Sequence, residues 1–466
     1  MNRQGNAVGT PNTLLCGRGI AFTIVFGEAA MVKRGTDDPL GTRIGTNDTT
    51  FGTTEQDCVA LLSIGTAVPT YWLPQDEISQ WMAGAFSDQP AVARAIRSLH
   101  RHSGIERRYS CCPEYLQPVE NSRFTPGESE AAPTTAERMA IYAREAPALG
   151  IQAARLALER YAASSGSAVQ TVADSITHLV VVSCTGFFAP GLDIVIAQKL
   201  GLPSAISRTV IGFMGCSAAF NGMRTAYQFA QSQPGARVLV VCVELCSLHI
   251  QQDANPAHLI AMSLFADGAA ACLVGEATSR DRSVFRLDAF HSEVQPDTES
   301  EMVWEIGDHG FVLNLSPQIP EHVAEAAPST LEHLFPGQRP DFWAIHPGGR
   351  AIVDRLQKAF ALAPIHLEPS RDILRRYGNL SSSTILFVLD ELRERLAKES
   401  AQTMALAGSH ATQAAASMTW GEDKFDSSVP AHNGTPSGVA MAFGPGLVIE
   451  MARLTYLPVV GEAPRR

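Results

Sequence analysis

Three residues in this chain are of types that together support carbon–carbon bond chemistry on thioesters. Among nine cysteines, Cys216 has a distinctive context: Val210 to Met214 reads as a strand, Gly215 allows a sharp turn, and Ser217 to Phe220 begins a helix. A thiol at a helix N-terminus is favoured as thiolate, because free backbone N–H groups and the macrodipole stabilise negative charge there. The context therefore predicts a lowered pKa and a nucleophile, although a cysteine that only packs in a core has the same local pattern. A thiolate at work needs a base or cation beside it and donors for the charge its reaction develops. His346 ends the apolar run Phe342-Trp343-Ala344-Ile345 and precedes Pro347-Gly348-Gly349. That is a strand carboxyl end, where open α/β sheets bind ligands; a structural histidine closing a strand is the alternative reading. Other histidines, such as His100, His102, His410 and His432, lie in polar or loop-like contexts. Asn379, in Tyr377-Gly378-Asn379-Leu380-Ser381-Ser382, either caps the following helix or aims its amide at a developing enolate oxygen.

The elements that must bring these three together alternate along the chain. A buried strand pattern starts near Cys58 (Val59 to Thr66), and 113–134 reads as a loop. Thr135 opens a helix that Pro147 is expected to kink or split. Strands are expected at Ile176–Ser183, Thr209–Phe213, Arg237–Leu245 and Ala269–Val274, with helices at Ile194–Leu200 and Ala218–Gln233. The second half repeats this grammar: strand Asp341–His346, helices Ile352–Phe360 and Ser381–Leu396, and a hairpin around Gly444-Pro445-Gly446. Strands apolar on both faces and alternating with helices imply a parallel sheet covered on both sides. The expected organisation is an extension at 1–55, a half from 56 to 280 bearing the cysteine, and a half from 281 to 458 bearing the histidine and asparagine. Residues 399–437, rich in Ala, Ser, Thr and Gly, read as a surface insertion in that second half.

Composition excludes several functions. A net charge of −11 argues against nucleic-acid binding, which needs clustered Lys and Arg. With 45% hydrophobic and 18% charged residues the chain can bury a large core. The most apolar N-terminal stretch, Leu14 to Val32, is broken by Arg18, Gly27 and Glu28, so no integral membrane segment is expected. The first 27 residues carry Arg3 and Arg18 and no acid, which fits an organelle leader, a flexible tail or a later start at Met31. Cysteines are too few for a disulfide scaffold, and Cys184, Cys242 and Cys272 sit in apolar runs, which points to a reducing cytoplasm. Cys242 and Cys246 are a weak zinc signal, so no metal is expected.

In chain order these motifs are recognisable. Gly215-Cys216, Ile345-His346-Pro347-Gly348-Gly349 and Tyr377-Gly378-Asn379-Leu380-Ser381-Ser382 resemble the type III polyketide synthases, the chalcone-synthase-like branch of the thiolase superfamily. Phe265-Ala266-Asp267-Gly268-Ala269-Ala270 and Ala442-Phe443-Gly444-Pro445-Gly446 complete the set. The resemblance spans roughly residues 57–458 outside the insertion. It implies an α/β fold: a thiolase-like, duplicated βαβαβ unit in αβαβα layers. It also implies an acyltransferase that holds an acyl-CoA starter as a thioester on Cys216 and extends it with malonyl-CoA. His346 and Asn379 would stabilise the enolate left when CO2 departs, and His346 would pair with Cys216 as imidazolium and thiolate. CoA thioesters would be the substrates, with no further cofactor, in a homodimer. The segment Ser183-Cys184-Thr185-Gly186-Phe187-Phe188-Ala189-Pro190-Gly191 is more similar to microbial members, a branch associated with alkylpyrones, alkylresorcinols and small phenolics.

By the same resemblance Phe265 matches a gatekeeping phenylalanine, an ordinary core aromatic being the alternative. A second gatekeeper falls on Leu313, which predicts room for fatty acyl starters. Ala189 stands where plant relatives place a methionine that reaches into the partner subunit's cavity. Cys184, Thr185, Glu244 and Ser381 fall in the substrate cavity, with Gly444, Pro445 and Gly446. Of these, Cys184, Glu244 and Ser381 match a hydroxyl–carboxylate network that steers cyclisation, and the cysteine is its poorer hydrogen-bonding member. Arg94, Arg97 and Arg101 share one helix face and are candidates for CoA phosphates, or form a solvated charged face. Two rivals remain at this stage: a ketoacyl-ACP or ketoacyl-CoA synthase, and a non-catalytic thiolase-fold partner. The starter, the number of extensions and the product stay open.

Overall fold

The computed structural model describes residues 58–113, 122–124, 132–250, 253–278, 281–409 and 435–458. The expected extension at 1–55, most of the 113–134 loop and positions 410–434 of the insertion lie outside them.

Strand β1 (Cys58–Ala67) is followed by a short ribbon of β2 (Tyr71–Pro74) and β3 (Arg107–Ser110). Then come β4 (His178–Ser183), β5 (Ser207–Gly212), β6 (Arg237–Leu245) and β7 (Asp267–Ala277). The second half holds β8 (Val284–Val294), the hairpin β9 (Met302–Gly307) and β10 (Gly310–Leu315), and β11 (Phe342–Ile345). It closes with the antiparallel pair β12 (Ser437–Gly444) and β13 (Val448–Leu457). Among the described residues nine strands form one sheet, in the order β11-β12-β13-β8-β1-β7-β6-β4-β5.

The sheet is mixed, which corrects the parallel expectation. Only β11–β12, β4–β5 and β4–β6 run parallel; β7 returns antiparallel to β6, and β1, β8 and β13 pair antiparallel. An apolar run reports that both faces are covered and carries no information on a neighbour's direction.

Alternation along the strands generates the layers. In β6, Leu239, Val241 and Val243 face one core with the Thr135–Ser165 helix, while Val238, Val240 and Cys242 face a second core. That second core also takes Phe342 and Ala344 of β11, Ala440 and Ala442 of β12, and Phe220, Met223, Leu386 and Leu389 of two central helices. Trp343, Ile345, Val439 and Met441 face a third core with the Ile319–Glu332 and Arg350–Ala359 helices. The one sheet thus contributes two layers, β11-β12-β13-β8 and β1-β7-β6-β4-β5, joined by a short β1–β8 pairing, with the central helices between them and helices outside each, which is the αβαβα arrangement the resemblance implies.

Two helices depart from expectation. Thr135–Ser165 starts with a capping box between Thr134 and Glu137 and continues unsplit through Pro147. Packing of Ala146, Leu149 and Ala153 in the first core overrides the proline's local cost. The final long helix is Thr384–Ser409, so the expected insertion begins inside it, and β12 has already started at the insertion's last residue.

Candidate active site

Cys216 sits in a single tight turn, Gly215–Ser217, between β5 and the Ala218–Ser232 helix. Phe213 and Gly215 flank that turn with φ of 57° and 65°. A Cβ at Gly215 would overlap the ring of Pro445, and one at Gly444 would overlap the Ser217 hydroxyl. The β12–β13 turn therefore presses against the Cys216 turn, and glycine at both positions is what permits that approach.

Asn379 is held from both sides. Its backbone N–H donates to Leu264 O at 2.9 Å, and its carbonyl accepts from Ala266 N at 2.9 Å. Side-chain Oδ1 accepts from the backbone N–H of Ser381 at 2.9 Å. With Oδ1 spent, the amide orientation is fixed, and Nδ2 donates to Gly348 O at 3.1 Å while lying 3.9 Å from the Cys216 sulfur. Asn379 is thus an oriented donor and not a helix cap: a turn at Ser381–Ser383 separates it from the helix starting at Thr384. His346 follows β11 and is fully buried, and neither ring nitrogen has a hydrogen-bond partner among the described residues.

Burial works against the charges of the expected imidazolium–thiolate pair. Burial pushes the Cys216 thiol up to about 12, and hydrogen bonds from Ser381 and Asn379 oppose that only in part. The same desolvation pushes His346 down to about 3. Desolvation in the cavity thus opposes the charge that the helix end favours at Cys216.

Cys216, His346, Asn379, Cys184, Thr185, Phe265, Leu313, Ser381 and Pro445 all line one cavity of about 440 Å³. Its wall is otherwise mostly aliphatic and aromatic, including Met302, Trp304, Leu315, Ile319 and Ile352. Leu313 pairs with Trp304 across the β9–β10 hairpin. Phe265 belongs to the cavity wall and not to the deep core, and its segment forms a parallel bridge with Asn379. Phe265 and Ile250 also line a second, small cavity on their other side.

The remaining predicted residues fall differently. Glu244 lies behind the wall: its carboxylate accepts from Cys184 N at 3.0 Å, from Thr185 Oγ1 at 2.9 Å, and from Ser382 Oγ. Burial raises its pKa to about 7 against those three donors. The Cys184 thiol instead accepts from Gly215 N at 3.2 Å, so the hydroxyls on Glu244 are Thr185 and Ser382, in place of the expected Cys184 and Ser381. Ser381, at a φ of 51°, presents itself to the cavity and to Cys216. Gly444 and Gly446 shape the turn without lining the cavity. Arg94, Arg97 and Arg101 are exposed and absent from its lining. The same helix sends Ser98, Leu99 and His102 to the mouth, where Arg350 faces them. A one-residue error in reading a helix face turns it by about 100°. His100 proves to be buried, with Nδ1 on Ile96 O at 2.9 Å.

Sequence reasoning missed Trp304, His249 and His258. Trp304 Nε1 donates to Cys184 O at 2.8 Å. His249 stacks on Phe311 at 4.2 Å, donates from Nε2 to Thr185 O at 2.7 Å, and accepts at Nδ1 from Phe311 N at 2.9 Å. The alternation Met302, Trp304, Ile306 was the available signal for the hairpin; nothing local marked the histidines.

Family models now bear on this geometry. The N-terminal domain of the chalcone and stilbene synthases matches residues 47–278, and the C-terminal domain of the same enzymes matches 286–411. The chain belongs to the chalcone and stilbene synthase family. It is 31% identical over 348 residues to "Type III polyketide synthase 21" of Oryza sativa subsp. japonica, covering 72% of this chain and 86% of that one. Its fold is similar to PKS-I from the brown alga Ectocarpus siliculosus, with a TM-score of 0.72, 26% identity, and coverage of 87% of this chain and all of the other. A similar fold occurs in the C-terminal type III polyketide synthase domain of Steely1 from Dictyostelium (TM-score 0.70, 24% identity, 86% of this chain and all of that domain). This type III polyketide synthase is therefore an acyltransferase of thiolase-like fold, and the rival condensing-enzyme and non-catalytic readings give way to it.

Proposed function

We propose that the synthase loads an aliphatic acyl-CoA starter on Cys216, extends it with malonyl-CoA, and cyclises the product to a pyrone, resorcinol or related phenolic. The observation that carries the reading is the Asn379 amide, held with Nδ2 3.9 Å from the Cys216 sulfur, in the cavity that His346, with two unpartnered ring nitrogens, also lines. Decarboxylation leaves an electron pair on the malonyl carbon and negative charge on the thioester oxygen. Two donors converging there lower the barrier, each by about 3 kcal/mol. A ring N–H of His346 is the second donor. The Leu313 wall and the apolar lining support an aliphatic starter over a polar one.

A homodimer is part of the proposal. Strand β5 ends the sheet and exposes Val210 (57%) beside exposed Met214, next to the nucleophile turn. The cytoplasm is the proposed compartment; no described helix is long and apolar enough to cross a membrane, and eight described cysteines are free thiols. The test is mass spectrometry of products from a panel of acyl-CoA starters with malonyl-CoA. Cyclised polyketides with aliphatic starters are expected, and Cys216→Ala should abolish them. Turnover retained by Cys216→Ala would overturn the assignment.

A further inference from the structure

Strand β8 and the Ile319–Glu332 helix bring three metal-binding side chains together outside the catalytic cavity. Residues two apart on a strand point to one side, so His291 and Glu293 share a face of β8 with Ala289, which packs against the third core. His333 closes the helix that covers the same core. None of the three lines the cavity that holds Cys216.

Each residue offers one ligand atom, and the three atoms all lie within 4.8 Å of one another. His291 Nε2 is 3.6 Å from Glu293 Oε2, which is too far for a hydrogen bond, and it has no other hydrogen-bond partner. Two ligands on a tetrahedral zinc with bonds of about 2.0–2.1 Å stand about 3.4 Å apart, so the gap suits a shared ion better than a direct contact. The His291 and His333 rings stack at 4.3 Å with planes 16° apart. Parallel rings aim their lone pairs side by side, so coordination requires a turn of His333, which an exposed side chain makes at little cost. His291 Nε2 is buried, but Glu293 keeps 37% of its side chain exposed and His333 is exposed, so an ion from solvent meets those two first.

The carboxylate is already aimed. Thr330, one turn before His333 on the same helix face, donates from Oγ1 to Glu293 Oε2 at 2.8 Å. Partners of this kind orient a metal's ligands, and here the bond ties the ligand on the strand to the helix that carries His333. Two imidazoles and one carboxylate suit a divalent transition cation of the zinc type and leave a fourth position for water. No spacing motif announces the cluster, because its members come from a strand and a distant helix end, and the sequence reading accordingly expected no metal.

We propose that His291, Glu293 and His333 form a binding site for a divalent transition cation such as zinc, which clamps β8 to the end of the Ile319–Glu332 helix.

The probe is zinc itself, added to the full chain at slightly alkaline pH, where imidazole is neutral. Calorimetric titration should show one saturable site, and zinc should raise the thermal unfolding midpoint. His333→Ala, at an exposed position, and Glu293→Gln, on the other element, should each weaken binding by more than the loss of an outer partner does, above about 10²-fold, and abolish the thermal shift. Cobalt(II) in place of zinc assigns the donors: nitrogen and oxygen ligands give only weak visible bands, whereas a thiolate adds an intense near-ultraviolet band. No saturable binding by the parent, undiminished binding by either variant, or a thiolate band from cobalt held by the cysteines would overturn the proposal.

Discussion

Replacing Asn379 by aspartate isolates one catalytic contribution with little change in shape. Oδ1 accepts the Ser381 N–H at 2.9 Å, and a carboxylate oxygen keeps that bond. The backbone bonds to Leu264 and Ala266 are untouched. What disappears is the Nδ2 donor, which bonds Gly348 O at 3.1 Å and lies beside Cys216. Loss of one donor to a developing oxyanion slows the chemical step by about 10² to 10³, or about 3–4 kcal/mol. The new oxygen also faces the Gly348 carbonyl, so the decrease should reach at least that range. The assay is conversion of malonyl-CoA to acetyl-CoA and CO2 in a Cys216→Ala background, which removes condensation from the measurement. Thermal unfolding of the variant serves as the structural control. A decarboxylation rate within about twofold of the Cys216→Ala parent, in a folded protein, would refute the assignment of Asn379 as an enolate donor.

Leu313→Phe should shift starter preference toward shorter acyl-CoAs, because a ring at that wall position takes space from the tail; an unchanged ranking across chain lengths counts against the aliphatic reading. Glu244 titrates near 7 when folded and near 4.5 when unfolded, so the folded state holds the extra proton between those values and stability falls as pH rises through that window. Glu244→Gln should therefore gain about 3 kcal/mol relative to the parent on going from about pH 4 to about pH 8, read by urea unfolding, and a pH-independent difference would contradict the burial argument. Gly215→Ala should destabilise the fold by at least about 1–2 kcal/mol, since φ is positive and the new Cβ overlaps Pro445; an unchanged urea midpoint would show that the β12–β13 turn does not press on the nucleophile turn.

Much of the strand pattern was legible, and so were the candidate side chains: Cys216 and His346 lie where an apolar run meets glycine, and Asn379 follows Gly378 after a charged helix end. Strand direction was not legible, since β6 and β7 are equally apolar whichever way they run. Desolvation was also hidden. The helix end at Cys216 is a local feature that favours thiolate, whereas the burial that pushes the thiol to about 12 comes from segments over a hundred residues away. Helix-face errors displaced Arg94, Arg97 and Arg101 from the cavity mouth that His102 and Arg350 occupy. Ser382 rather than Ser381 reaches Glu244 because Ser381 adopts a left-handed backbone, which no composition rule signals.

Whether acyl groups travel through one sulfur is the most direct test. Incubation with an aliphatic acyl-CoA, quenching, and peptide mass mapping should find the acyl mass on Cys216, followed by successive malonyl-derived increments on the same peptide once malonyl-CoA is supplied. Acylation confined to Cys184 or Cys246, or increments that never appear on the Cys216 peptide while product accumulates, would contradict the account.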